Sequence, residues 1–195
     1  MILGIDPGAT GALALYAPGI LQIDDMPTFN MTVGKTTRKR VDAPGVADLI
    51  DTYKLMGLEL AVLEAVGGRP KQSASAAFVF GYSVGLVYMA LINARVPVET
   101  VPPQTWKKLM KMPGKRKGGQ KAAVEKEYLD AIKVRATELL PDAGAQFYGP
   151  RGGVRIDRME AACMAVFGHR HLLGNGQRST DVIGSEIYRQ NDLGA

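Results

Sequence analysis

Two apolar runs in this chain each end on an acid. Ile2-Leu3-Gly4-Ile5 stops at Asp6, and Leu60-Ala61-Val62-Leu63 stops at Glu64. Near-continuous apolar runs of this length read as strands buried on both faces, with further layers packed on either side. A carboxylate at the end of a buried strand is costly to desolvate unless something positive meets it. A third acidic place is Asp157 with Glu160, three residues apart near the start of the last helical stretch. Three such places in one small domain point to a shared cation.

The rest of the chain arranges itself around those runs. Ile2–Asp6, Ala12–Tyr16 and Ile20–Asp24 read as a three-stranded antiparallel meander, with turns at Gly8–Gly11 and at Ala17-Pro18-Gly19. The stretch from Met26 to Arg40 reads as a loop or flap. Val46–Tyr53 has a helical period with Pro44 near its start. Leu60–Glu64 is then a fourth strand. Ser73–Arg95 is a long apolar helix interrupted by Gly81 and Gly85, and Val98–Val101 is a fifth strand. Thr105–Lys111, Gln120–Leu139 and Ile156–Leu173 read as helices, and the glycine-rich Gly144–Gly153 as a mobile loop. The expected class is α/β: a mixed five-stranded sheet, three antiparallel strands followed by βα units, flanked by helices. Residues 1–173 form one expected domain and 174–195 a C-terminal tail.

No apolar run approaches the ~20 residues of a membrane helix. The start of the chain lacks the charged region and cleavage site of a secretory signal. A cytoplasmic protein is the expectation. The lone Cys163 falls on an apolar helix face and is expected to pack as a small hydrophobe. His169 and His171 fall far along the last helix, as surface or packing residues.

The acids define the chemistry. Asp157 and Glu160 stand about 60° apart around a helix axis, close enough to face one site. Clusters of Asp and Glu without His or Cys suit Mg²⁺ or Mn²⁺. Two such ions together can serve phosphoryl transfer. Each acid alone also has an ordinary structural use. Asp6 fits a turn-forming Asp-Pro-Gly, Glu64 an ion pair with Arg69 or Lys71, and the helical pair a solvated first turn favoured by the helix dipole.

The net charge of +5 is concentrated. Between Lys107 and Lys121 there are seven basic residues and no acid: Lys107, Lys108, Lys111, Lys115, Arg116, Lys117 and Lys121. Arg38, Lys39 and Arg40 make a second patch, and Arg151, Arg155 and Arg158 a third. A run of one sign fits either a solvated surface or a phosphate backbone. Trp106 beside the first run is expected to be a partial core residue.

Taken in order, these segments resemble the RuvC family of Holliday junction resolvases, within the RNase H-like nuclease superfamily. Ile2-Leu3-Gly4-Ile5-Asp6-Pro7-Gly8 is similar to its first-strand motif, and Val62-Leu63-Glu64-Ala65-Val66 to its fourth-strand acid. Ser73–Gly85 is similar to its small-residue helix. Thr105-Trp106-Lys107-Lys108 and Gln120-Lys121-Ala122 resemble its lysine-bearing segments, and Ile156-Asp157-Arg158-Met159-Glu160-Ala161 its last-helix acidic pair. The resemblance implies a structure-selective endonuclease that resolves four-way junctions by paired symmetric nicking, with two Mg²⁺ or Mn²⁺ ions per active site. It implies that Asp6, Glu64, Asp157 and Glu160 bind metal and catalyse, and that Lys107 and Lys121 contact DNA near the scissile phosphate. It also implies a homodimer on branched DNA, associated with the nucleoid and with branch-migration machinery.

Two departures fit a divergent branch of phage type, working in a host cytoplasm: Glu160 stands where many relatives have Asp, and no aromatic follows Glu64 directly. An RNase H-like enzyme on RNA–DNA hybrids, or broader branched DNA, shares the acids. So does a non-catalytic junction-binding protein that kept the fold. Asp6-Pro7-Gly8-Ala9-Thr10 is also similar to the phosphate loop of actin-like ATPases, which need two such domains; 195 residues do not hold two.

Overall fold

A computed structural model describes residues 1–65, 67, 72–114 and 121–173; of Val33 and Lys121 it describes the backbone only. Lys115, Arg116 and Lys117, the pairing partners Arg69 and Lys71 considered for Glu64, and the expected tail lie outside the described residues.

The strands are β1 (Ile2–Asp6), β2 (Ala12–Ala17), β3 (Ile20–Asp25), β4 (Thr28–Val33), β5 (Thr36–Val41), β6 (Leu60–Glu64) and β7 (Val98–Val101). The helices are α1 (Ala43–Leu55), α2 (Ala74–Asn93), α3 (Pro103–Leu109), α4 (Lys121–Leu139) and α5 (Ile156–Gly168), and a π turn continues α5 to Leu173. The main sheet runs β3-β2-β1-β6-β7. β1, β2 and β3 pair antiparallel, while β6 pairs parallel with both β1 and β7. This is the expected mixed five-stranded sheet.

Strand alternation divides the core between two faces. Leu3, Ile5, Leu13, Leu15, Ala61 and Leu63 pack with Ile50, Tyr53, Val87 and Leu91 of α1 and α2. Ile2, Ala12, Ala14 and Val62 pack on the other side with Trp106 of α3, Ile132 of α4 and the buried face of α5. One glycine sets how close α5 comes. A methyl group added to Gly4 would overlap the Ala161 carbonyl oxygen and the Ala165 backbone nitrogen. At the helix's other end, a Cβ on Gly168 would lie 2.8 Å from Ile2 Cγ2. So α5 lies directly on β1 and runs opposite to it, with its N-terminus over the Asp6 end.

Three expectations need correction. Met26–Arg40 is no loop: β4 and β5 form a second, two-stranded sheet. The alternation of Phe29, Met31 and Val33 with Asn30 and Thr32 carried the signal. It was masked because β5, Thr-Thr-Arg-Lys-Arg-Val, is polar along nearly its whole length. Gly144–Gly153 is held by hydrogen bonds. Pro141–Phe147 is a 3-10 helix, Gly149 N donates to Gly153 O at 2.8 Å, and Arg155 N donates to Phe147 O at 2.9 Å. Finally, α2 is by length and composition able to span a membrane: 20 residues, with a most apolar window of mean hydropathy 1.8. Its glycines and serines interrupt the apolar run without adding charge. Only 17% of that window is buried.

Candidate active site

The register brings the two strand-end acids together. Ile5 is opposite Leu63 in the parallel β1–β6 pair, so Asp6 and Glu64 follow side by side at the same edge. Parallel neighbours lie about 4.8 Å apart. Because α5 runs opposite to β1, its first turns arrive at this edge with Asp157 and Glu160. All four acids line one open cleft of about 980 Å³, together with Lys107 of α3, Phe80 of α2 and the Pro7–Thr10 turn.

The electrostatics follow from crowding. Burial, then the charges of Glu160, Asp157 and Glu64, push the Asp6 carboxyl up to about 8, against the opposing pull of Lys107. Asp157 is also raised, chiefly by burial; nearby Arg155 and a side-chain hydrogen bond with Asp6 pull the other way. The raised groups therefore favour keeping protons until a stronger positive charge arrives.

Two residues of α3 hold two of the acids. Trp106 is fully buried, and its Nε1 donates to Glu64 Oε1 at 3.0 Å. Lys107 Nζ pairs with Glu160 Oε1 at 2.7 Å and lies 5.2 Å from the centroid of the Trp106 ring. Burial opposes the lysine's charge, but attraction and hydrogen bonding to Glu160 outweigh it, and its pKa rises. The extra methylene of Glu160, compared with Asp, is part of what gives it reach to Lys107. Trp106 thus packs as a core residue while its polar edge orients an acid. The sequence placed it beside Lys107, but its partner is 42 residues away.

The start of α5 is clamped. Arg158 donates from Nε to Asp25 Oδ1 at 2.7 Å and from Nη2 to Oδ2 at 2.9 Å. Its Nη1 donates to the carbonyls of Gln146 and Tyr148 at 3.0 and 2.8 Å. Arg155 adds a bond to Asp25 at 3.3 Å. These bonds hold the Asp25 carboxyl below its usual range, against the effect of its partial burial. The third basic patch is corrected accordingly: Arg155 and Arg158 are structural, and only Arg151 of the three is exposed.

The remaining predicted cations are dispersed. Lys108 is exposed on α3 and Lys111 just after it, Lys121 begins α4, and Arg38, Lys39 and Arg40 lie on β5. Cys163 is buried, its thiol pushed up to about 12 by that burial, and packs as expected. His169 and His171 pack against Tyr16 and Phe167.

The donor set, all oxygen and multiply negative around a buried acid, fits a hard divalent cation. Among the described residues, however, no three Asp, Glu, His or Cys stand at the spacing of a formed metal cluster.

No protein-family model matches the sequence, and no curated protein matches it. Among solved structures, Thermus thermophilus RuvC in complex with a Holliday junction substrate is similar over 87% of this chain and 94% of that chain, with TM-score 0.53 and 16% identity. A further structure of Thermus thermophilus RuvC is similar over 87% and 95%, with TM-score 0.47 and 18% identity. The first likeness is one of fold: a mixed five-stranded sheet flanked by helices.

Proposed function

We propose that this protein is a metal-dependent endonuclease that resolves four-way DNA junctions by paired nicking. One observation carries the reading: four carboxylates from two strand ends and a helix N-terminus share one open cleft with a lysine. Exposed Lys108 and Lys111 follow Lys107 along α3 and just beyond it, and the similar solved structure was captured with a Holliday junction. Asp6, Glu64, Asp157 and Glu160 would hold the ions. Mg²⁺ or Mn²⁺ bound there would supply an activated water and stabilise the leaving oxygen. Burial raises both Asp6 and Asp157, and bound cations would favour their ionised forms. Trp106 fixes the orientation of Glu64. Lys107 holds Glu160 in the resting protein and is placed to meet a phosphate. Lys108, Lys111 and Lys121, with Lys115, Arg116 and Lys117, would contact the backbone beyond the cleft.

Paired nicking needs two cleavage sites, and α2 offers the surface for a homodimer. Phe78, Tyr82 and Met89 are 75%, 56% and 52% exposed. With Gly85 they follow one another at intervals of four, three and four residues, a helix-packing stripe. Gly81 and Gly85 have open space beside them, which allows close approach of a second helix. A two-fold dimer suits a substrate of approximate two-fold symmetry.

The test is cleavage of synthetic four-way junctions, three-way junctions, flaps, linear duplexes and RNA–DNA hybrids with each metal. Symmetric nicks in the four-way junction, lost in Asp6→Asn with junction binding kept, are the expected result. Cutting of hybrids alone would assign an RNase H-type activity instead. Junction binding without cutting by the wild type would leave only an architectural role. For the dimer, sedimentation should show Phe78→Glu with Tyr82→Glu as a monomer; an unchanged mass would remove α2 from the interface.

A further inference from the structure

We propose that the β4–β5 ribbon grips a duplex arm of the DNA with one particular face. This rests on the reading of the cleft as a DNA nuclease site and names the element that holds the substrate outside it.

Three observations lead there. The ribbon leaves the main sheet at the active-site edge: Asp6 is opposite Ala12, and Ala12 is opposite Asp25, so all three lie in one row across the sheet. Two strand spacings put its root about 10 Å from Asp6. The chain is tied there, since Met26 N donates to Gly11 O at 2.9 Å and Asp42 N donates to Pro27 O at 2.9 Å. With six residues per strand, the ribbon is about 20 Å long.

Its charge has one sign. Lys35, Arg38, Lys39 and Arg40 lie between Met26 and Val41, with no acid among them. Nearly all of the ribbon is exposed.

Its two faces differ. Residues directly opposite in an antiparallel pair project to the same side. Phe29 is opposite Arg40 and Met31 is opposite Arg38, so one face carries an aromatic ring, a thioether and two guanidinium groups. Phe29 and Met31 are 48% and 42% exposed, so about half of each apolar side chain faces solvent in the free protein. The other face carries Asn30 opposite Lys39 and Thr32 opposite Thr37, whose hydroxyls bond to each other at 2.8 Å. A two-stranded ribbon fits a duplex groove, where side chains meet sugars and base edges while cations meet the flanking phosphates. The Phe29–Met31–Arg38–Arg40 face offers both kinds of contact together. The exposed part of the Lys39 face is polar; its apolar residue, Val41, is buried in the core at the ribbon's root.

The experiment measures equilibrium binding of the full chain to a synthetic four-way junction over a range of salt, with chelator present so that nothing is cut. Arg38→Ala with Arg40→Ala should reduce the slope of log K against log salt by about 2, one per lost phosphate contact. Phe29→Ala with Met31→Ala should weaken binding roughly tenfold with an unchanged slope, because no charge is lost. Lys39→Ala, on the opposite face, should change neither by a comparable amount. Phe29, Met31, Arg38 and Lys39 are exposed and Arg40 is half-buried at the ribbon's root, so thermal melts should match the wild type. Slope and affinity unaffected by the double arginine variant would overturn the proposal. A Lys39 effect equal to that of the arginines would overturn the assignment of the face. Because the readout is binding, a wild-type protein that binds junctions without cutting them would sink the nuclease reading and leave the ribbon test standing.

Discussion

Replacing Asp6 by Asn should stabilise the metal-free protein, and the gain should grow with pH. In the folded chain, burial and three neighbouring carboxylates push Asp6 from 3.8 to about 8. Between those values the folded state keeps a proton that the unfolded state releases. Stability then falls as pH rises, by about 1.4 kcal/mol per pH unit for one proton. From pH 4 to pH 7 that amounts to about 4 kcal/mol. Water entering the open cleft and small movements of the acids reduce this to about 2–4 kcal/mol. Asparagine never ionises, yet its amide can still donate toward Asp157 as the protonated carboxyl does. Asp6→Asn and the wild type should therefore be nearly equal near pH 4 and differ by about 2–4 kcal/mol at pH 7. The assay is urea unfolding with chelator at several pH values. With a typical slope of about 2–3 kcal/mol per molar urea, the midpoint should move by roughly 1 M at pH 7. Added Mg²⁺ should reverse the order, raising the wild type and leaving the variant little changed. A stability difference that stays flat with pH, or a variant less stable at pH 7, would refute the crowding of acids around Asp6.

Other perturbations probe the supporting contacts. Trp106→Phe keeps an aromatic ring but removes the donor to Glu64 and leaves the space of the lost pyrrole ring, so it should cost about 2–4 kcal/mol in urea unfolding and slow cleavage. Lys107→Met should lower the single-turnover cleavage rate about 100-fold. It should also raise the pH at which Asp6 releases its proton, read by NMR of the carboxyl. Gly4→Ala forces α5 away from β1 and should cost about 3 kcal/mol or more, seen as a lowered melting temperature. An unchanged melt would mean that the helix does not sit as closely as described.

The acids were legible because burial and charge conflict at each of them. An apolar run that ends on Asp6 or Glu64 marks both a strand and a site, and helical spacing pairs Asp157 with Glu160. What could not be read was long-range pairing. Nothing near Arg158 indicates that it will close on Asp25, 133 residues earlier. Lys107 reads in the sequence as one cation of a basic run, with no sign that it partners Glu160, 53 residues away. The ribbon was overlooked for a different reason. Alternation signals a strand when one face is buried, and β5 has almost no buried side to alternate with.

The seating of α5 on β1 also ties activity to the order of synthesis. Asp6 emerges from the ribosome well before Asp157 and Glu160, which follow only after the whole main sheet has been made. Until α5 docks over Gly4, a growing chain holds two of the four acids and no complete site. A product truncated before Ile156 would lack two of the four acids and the helix that brings them to the cleft.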